Sequence, residues 1–336
     1  MEFLDLKAQQ KRIRKPLEKR INKILDHGAY IMGPEVFELE EKLADYCGVK
    51  HAISCSSGTD ALLIPLMAWG IGPGDAVFTT PFTYVATAEV ISILGATPVF
   101  VDVYESTYNI DCEKLEIEIN KVINEGKLKP KAIIPVDLFG LPARYRLIDK
   151  IAKKYNLKVI EDCAHAIETI YKGRKAGAIG DMGVFSFYAT KNLAVGEGGM
   201  IISNNESLIS KLKISALHGM SKDAWSRFSN DGYKHYKVEM AGFKYNMPDI
   251  QAAIGIHQLK KIDEFTIKRE RIWNLYLKEF ENLPVNLPCK IENNTSHAYH
   301  LFNICLDQDK TNIKRDDFLN KMNNNKIGVG IHYESI

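Results

Sequence analysis

Val159-Ile160-Glu161-Asp162-Cys163-Ala164-His165 is a short apolar run, 158–161 in its strand part, that delivers carboxylates where the chain leaves the strand. Upstream, the apolar runs 76–80, 98–103 and 131–136 alternate with helical patterns at 86–94, 113–123 and 145–155. Strands separated by crossovers of that length predict a mainly parallel sheet covered by helices on both faces. Two more strands, 183–187 and 199–203, follow without a helix between them, and 207–217 reads as helix. Ahead of the alternation lie an amphipathic helix at 6–26, a second helix at 35–46 after Gly33-Pro34, and a short strand at 51–55. Behind it come a charged helix at 260–280, a strand at 297–306, a helix at 314–323 and a strand at 328–333. The expected organisation is an N-terminal helical arm (1–30), a large domain (31–258) and a smaller α+β domain (259–336) that looks cut short.

The 44 Lys and Arg residues against 42 Asp and Glu leave a net charge of +2, so no strong field draws the chain to nucleic acid or an anionic membrane. The start, Met1-Glu2-Phe3-Leu4-Asp5, lacks a basic segment followed by an apolar one, and the apolar stretch 61–72 is short and broken by Pro65. A cytoplasmic protein is expected. Six cysteines at 47, 55, 112, 163, 289 and 305 form no C-x-x-C pair, which argues for reduced thiols and no metal site.

Open parallel sheets bind ligands beyond the carboxyl ends of their strands. After the strand at 51–55, Ser56-Ser57-Gly58-Thr59-Asp60 turns into a helix. Such a turn offers unpaired amides and the positive end of a helix dipole, an anion site, or else a plain cap by Thr59 or Asp60. At the end of the 158–161 strand, Asp162 is costly to bury unless it meets a cation such as a protonated pyridine nitrogen. A metal ligand or helix cap is the plainer alternative. Phe185-Ser186-Phe187-Tyr188-Ala189-Thr190-Lys191-Asn192-Leu193 then leads to Gly196-Glu197-Gly198-Gly199. A lysine between a strand and a glycine-rich loop can be desolvated enough to act as an imine-forming amine.

Taken with Gly33-Pro34-Glu35, Ser57-Gly58-Thr59-Asp60-Ala61-Leu62, Phe82-Thr83-Tyr84-Val85-Ala86-Thr87 and Gly242-Phe243-Lys244-Tyr245-Asn246-Met247, these blocks resemble the DegT/DnrJ/StrS-type sugar aminotransferases. The resemblance implies the fold type I (aspartate aminotransferase) architecture: three αβα layers, a mainly parallel seven-stranded sheet and a smaller C-terminal domain. It further implies pyridoxal 5'-phosphate, with pyridoxamine 5'-phosphate as its amino form, held covalently by Lys191. Asp162 would keep the ring nitrogen protonated, Tyr84 would stack on the ring, and His165 would lie near the ring and its O3' side. Gly58, Thr59 and Ser186 would bind the phosphate, joined by Asn246 from the second subunit of a homodimer, and His332 would lie near the sugar. The implied substrates are L-glutamate and a UDP- or dTDP-linked keto-sugar.

The block from Leu217 through Trp225-Ser226-Arg227-Phe228, with Tyr245-Asn246-Met247 downstream, resembles the branch that aminates C4 of 4-keto-6-deoxy sugars. The opening Glu2-Phe3-Leu4-Asp5 and Gly33-Pro34-Glu35-Val36 also fit C3 enzymes. A sugar dehydratase on the same scaffold would carry histidine where Lys191 stands. A regulator would need a DNA-binding module, and a nicotinamide oxidoreductase would need Gly-x-Gly-x-x-Gly between an early strand and helix, whereas Gly70-Ile71-Gly72-Pro73-Gly74 follows a helix.

Overall fold

Residue 159 of the central strand faces one apolar layer and residue 160 the other, because successive side chains of a strand alternate between faces. The computed structural model describes residues 3–221 and 237–336. Its strands are β1 (His51–Cys55), β2 (Asp75–Thr79), β3 (Thr97–Phe100), β4 (Lys129–Ile133), β5 (Lys158–Asp162), β6 (Ile170–Tyr171), β7 (Arg174–Lys175), β8 (Met182–Ser186), β9 (Gly199–Ser203), β10 (Val285–Asn286), β11 (Thr295–Ser296) and β12 (Cys305–Leu306). Seven of them form the main sheet in the order β1-β9-β8-β5-β4-β2-β3. β9 alone runs against its neighbours. The rest are parallel, as the strand-helix alternation predicts.

The helices are α1 (Leu6–Lys11), α2 (Arg14–His27), α3 (Pro34–Cys47), α4 (Gly58–Ala68), α5 (Ala86–Ile93), α6 (Cys112–Glu125), α7 (Tyr145–Tyr155), α8 (Glu206–Ser215), α9 (Asp249–Leu259), α10 (Ile262–Glu279) and α11 (Arg315–Asn324). On one face of the sheet Ile160, Val184 and Ile201 pack with Leu62, Leu66, Val90 and Leu212 from α4, α5 and α8. On the other, Val159 and Ile133 meet Leu115, Ile119 and Ile148 of α6 and α7, while Phe185 and Ile202 meet Leu39, Leu43 and Ile256 of α3 and α9. Each such side chain contributes about 1.5–3 kcal/mol of burial, so the two faces hold the strand ends rigidly in register. The result is the three-layer αβα, fold type I arrangement.

The Gly33-Pro34-Glu35 block has a packing reason. Asp249, fully buried at the start of α9, accepts from Gly33 N at 2.9 Å and from Val36 N at 3.2 Å, which satisfies orphan amides at the start of α3. A Cβ on Gly33 would stand 2.5 Å from Ala29 O and 2.6 Å from Asp249 Oδ1, so only glycine admits that carboxylate.

Three sequence expectations need correction, and one helix went unforeseen. The helix expected at 6–26 is two helices, broken so that Ile13 can join Leu17 and Ile24 in a cluster with Ala253 of α9. α9 itself was not anticipated, since it is buried on several sides and shows no one-sided apolar period. Of the strand expected at 297–306 only Cys305–Leu306 is strand, because Ala298 N and His300 N bond instead to Gly140 O and Phe139 O at 3.0 and 3.2 Å. The strand expected at 328–333 finds no ladder partner among the described residues, and its Tyr333 instead packs beside Val136, Leu138 and Phe139. Among the described residues no helix is long and apolar enough to cross a membrane.

Asp249→Ala strips acceptors from two buried amides and is expected to lower unfolding free energy by about 1–3 kcal/mol in urea titration, with the secondary structure of the folded state retained.

Candidate active site

The carboxyl ends of β1, β5 and β8 converge on one crevice. Beyond β1 the Ser56-Ser57-Gly58 turn opens α4, where Ser57 Oγ caps the helix by accepting from Asp60 N at 3.1 Å. The amides of Gly58 and Thr59 precede that bond and have no acceptor among the described residues. Space is tight around them. A Cβ on Gly58 would lie 2.6 Å from Ser186 Cβ, and one on Gly199 would lie 2.1 Å from Ser57 O. The turn is thereby pressed against the end of β8, with Ser186 Oγ beside unpaired helix-start amides. This group could hold a phosphate dianion.

Asp162, the last residue of the central strand, is 4 % exposed. Its Oδ2 accepts from Thr87 Oγ1 at 2.9 Å and its Oδ1 from Ala164 N at 3.2 Å; Thr87 is held in turn by Thr83 Oγ1 at 2.9 Å. Burial pushes the carboxyl above its ordinary range, and those two hydrogen bonds and the charge of Lys191 only partly oppose it. Asp162 is thus a buried anion short of a cation. Lys191 sits on the loop after β8, its backbone turned by a bond from its N to Tyr188 O at 2.9 Å. Burial lowers its ammonium to about 8, with Asp162 acting in the opposite sense. A lysine so poised is available as a neutral amine near physiological pH.

Glu161 alternates to the opposite face from Asp162. It accepts from the amides of Gly177, Ile179 and Gly180, and burial raises it to about 7. Its role is to pin the 177–180 loop.

His165 Nδ1 accepts from Phe139 N at 3.2 Å, so a neutral ring carries its proton on Nε2, which faces Tyr333 Oη at 3.2 Å. Burial, then the neighbouring His300, Lys191 and His332, hold the ring far below the usual imidazole range. Phe139 and Tyr333 stack beside it at 6.4 and 6.2 Å, and His300 at 4.4 Å. Tyr84 is 60 % exposed, tilted 57° to Tyr333 at 6.3 Å, so its face is open to a ring entering the crevice.

Of the residues singled out in the sequence, Gly58, Thr59 and Ser186 come together, and Asp162, His165, Lys191 and His332 share one electrostatic neighbourhood. His332 stacks on Phe3 at 5.9 Å and is lowered by burial, then by Lys191. Asn246 accepts from Lys244 Nζ, and no hydrogen bond joins it to Gly58, Thr59 or Ser186 of its own chain. The nearest tie is through Tyr245 O, which accepts from Ser56 N at 2.7 Å. The Trp225 to Phe228 block lies outside the described residues. Sequence reasoning passed over Thr87, Tyr333, His300 and Asn192. Thr87 ended a quoted block and Asn192 followed the lysine, so both were in view; His300 and Tyr333 had no local signal.

An αβα sheet with a buried carboxylate at the end of its central strand, a neutralisable lysine beyond the next and a turn of unpaired helix-start amides beyond β1 fits a class, the fold type I pyridoxal-phosphate-dependent aminotransferases. The cofactor fits on three counts: unpaired amides for its phosphate, an unbalanced carboxylate for its ring nitrogen, and an available amine for its aldehyde. The sequence profile of the DegT/DnrJ/EryC1/StrS aminotransferase family matches residues 11–336, and the chain belongs to that family. It is 41 % identical over 316 residues to the spore coat polysaccharide biosynthesis protein SpsC of Bacillus subtilis, covering 94 % of this chain and 79 % of that protein. It is 39 % identical over 308 residues to the UDP-2-acetamido-2-deoxy-3-oxo-D-glucuronate aminotransferase of Pseudomonas aeruginosa, covering 91 % and 80 %. Its fold superposes on a DegT DnrJ EryC1 StrS aminotransferase from Brucella abortus with a TM-score of 0.90 at 39 % identity, over 99 % of this chain and 84 % of that one. The protein is a pyridoxal-phosphate-dependent sugar aminotransferase.

Replacing Asp162 with Asn removes the anion that favours the lysine ammonium. In the cofactor-free protein, NMR titration of 13C-labelled lysine should therefore place Lys191 near 8 in the native chain and lower in Asp162→Asn; a rise would contradict the geometry.

Proposed function

We propose that the chain transfers an amino group from L-glutamate to a ketone carbon of a nucleotide-linked sugar, working as a cytoplasmic homodimer with shared active sites. The observation that carries this reading is the pairing of Lys191 and Asp162 across one crevice, with the unpaired Gly58 and Thr59 amides at its end. Pyridoxal phosphate supplies an aldehyde that captures amines and a ring that accepts the electron pair left when a C–H bond breaks.

The protein's residues do the rest. Asp162, oriented by Thr87 and the Ala164 amide, holds a proton at the ring nitrogen. Gly58, Thr59 and Ser186 anchor the phosphate, with Asn246 of the second subunit, and Tyr84 covers one ring face. His165, neutral and protonated on Nε2 against Tyr333 Oη, would lie near the ring and its O3' side. Lys191, freed as an amine by the arriving amino donor, takes the proton from the donor's α-carbon and in the second half reaction returns one to the former keto carbon. Because a single lysine serves both halves, the two substrates must bind in turn. His332, whose ring is close enough to Lys191 to feel its charge, would meet the sugar.

The dimer reading is supported by apolar side chains left exposed on the segments that carry the site, among them Tyr84, Val85, Tyr188 and Phe243. The division at residues 30 and 258 into arm, large domain and small domain belongs to the same proposal. For the reacting carbon, the 39 % identity to an enzyme named for a 3-oxo sugar favours C3 of a UDP-linked sugar. The C4 reading rests on the 217–228 and 245–247 blocks.

Purified protein is expected to be yellow, to be bleached by borohydride, and to lose the colour on addition of L-glutamate. Lys191→Ala should abolish the colour and cut turnover by about 10³-fold or more. Double-reciprocal plots for the two substrates should be parallel; intersecting lines contradict the shared lysine. Presented with UDP-linked 3-keto and 4-keto sugars, the enzyme should aminate the 3-keto compound, and amination of the 4-keto compound alone would reverse that assignment.

A further inference from the structure

One polar network on the crevice wall has no part in the scheme above. Arg269 of α10 pairs through Nη2 with Oε1 of Glu168, a carboxylate 5 % exposed. The other oxygen of Glu168 accepts from Asn192 Nδ2 at 2.9 Å, and the same Nδ2 donates to Ala298 O at 3.0 Å. With both of its N–H protons on acceptors, the amide of Asn192 has one orientation, and its Oδ1 must accept. The atom that faces Oδ1, at 2.9 Å, is Nδ1 of His300. The proton of a neutral His300 is therefore on Nδ1, and Nε2 carries a bare lone pair that meets no donor among the described residues.

The neighbouring imidazole is wired the other way. His165 takes its hydrogen bond at Nδ1 from the Phe139 amide and keeps its proton on Nε2, while its ring stacks on His300 at 4.4 Å and 29°. Two stacked neutral rings thus offer opposite polarities beside the lysine: a donor on His165 and an acceptor on His300. The charged or chargeable groups around His300 are Lys191, Arg269, His332 and His297, all of which disfavour a second positive charge there, together with His165 in the stack and Glu168 beyond Asn192. The network joins Asn192, the residue next to Lys191, through Glu168 to Arg269 of α10.

We propose that Asn192 is a positioning residue that holds His300 as the Nδ1–H tautomer, so that His300 Nε2 serves as a hydrogen-bond acceptor in the crevice for an N–H or O–H donor of a substrate. This rests on the reading of Lys191 as the cofactor's attachment point and goes beyond it by adding a substrate-binding acceptor on the C-terminal segment. The donor is an amine N–H if the amino-acid substrate uses it and a hydroxyl if the sugar does. The two half reactions have separate kcat/KM values, which tells these sources apart.

The test uses the cofactor-loaded enzyme with 15N-labelled histidine. Long-range 1H–15N spectra at neutral pH, with His300 assigned by its loss in His300→Asn, should show Nδ1 protonated and Nε2 bare. In Asn192→Asp the new carboxylate should stabilise the imidazolium, so the spectrum should show both nitrogens protonated, and the acid limb of the pH profile should move up by about one to three units. Asn192→Ala should mix the tautomers and lower kcat/KM for one substrate by about fivefold while sparing the other, since a lost hydrogen bond is worth about 1 kcal/mol. Glu168→Gln, close in shape, loosens the amide of Asn192 and should shift the tautomer ratio and the kcat/KM split as Asn192→Ala does, by less, and serves where Asn192 variants fold poorly. A native His300 protonated on Nε2, an Asn192→Asp enzyme with unchanged spectrum and pH profile, or equal loss in both half reactions overturns the proposal. Failure of the native protein to take up pyridoxal phosphate would sink the underlying reading and this one with it; a wrong tautomer in loaded protein sinks this one alone.

Discussion

The unbalanced charge of Asp162 is the constraint on which the rest of the structure depends. A carboxylate buried at the end of a central strand is costly, and two hydrogen bonds from Thr87 and the Ala164 amide do not offset that cost. Two cations can answer it: the ammonium of Lys191 and a protonated ring nitrogen. As the lysine gives up its charge, the second would take its place under the proposed function. The parallel sheet makes this possible, because it ends β5 and β8 side by side and so sets Asp162 and the loop of Lys191 on one rim. Packing on both faces of the sheet keeps that rim from relaxing and letting water in to solvate the carboxylate.

Much of this was readable in the chain. The 199–203 strand, the 51–55 strand and the 145–155 helix have the bounds expected of them, since short β-branched runs and an amphipathic period are local signals. The tight turn into α4 and the lysine loop were readable because glycines mark them: Gly58 and Gly199 lie where a Cβ would meet Ser186 or the Ser57 carbonyl. What was hidden depends on partners far away in sequence. α9 is buried on several sides and so lacks a stripe, and 297–304 gives its amides to 139–140 rather than to a strand. The stretch 328–333 reads as a strand by its apolar alternation, yet its Tyr333 is used on His165. His300 was invisible for the same reason, as nothing near it in sequence announces Asn192 as its partner.

The family relation and the geometry support each other at different depths. Matching over 11–336 establishes the class of reaction, while the hydrogen bonds explain why particular side chains stand where they do. Thr87, Glu161 and Asp249 illustrate the division: Thr87 orients Asp162, Glu161 pins the 177–180 loop, and Asp249 holds the start of α3. The stacked pair of His165 and His300, set in opposite tautomers from segments far apart in the chain, gives the C-terminal segment a chemical part in the crevice beyond covering it.

The most direct measurement is the 15N shift of the ring nitrogen in enzyme loaded with 15N-labelled pyridoxal phosphate. If Asp162 is the anion that the cofactor balances, that nitrogen is protonated in the native enzyme through neutral and mildly alkaline pH and loses its proton in Asp162→Asn. A bare ring nitrogen in the native enzyme at neutral pH would contradict the account.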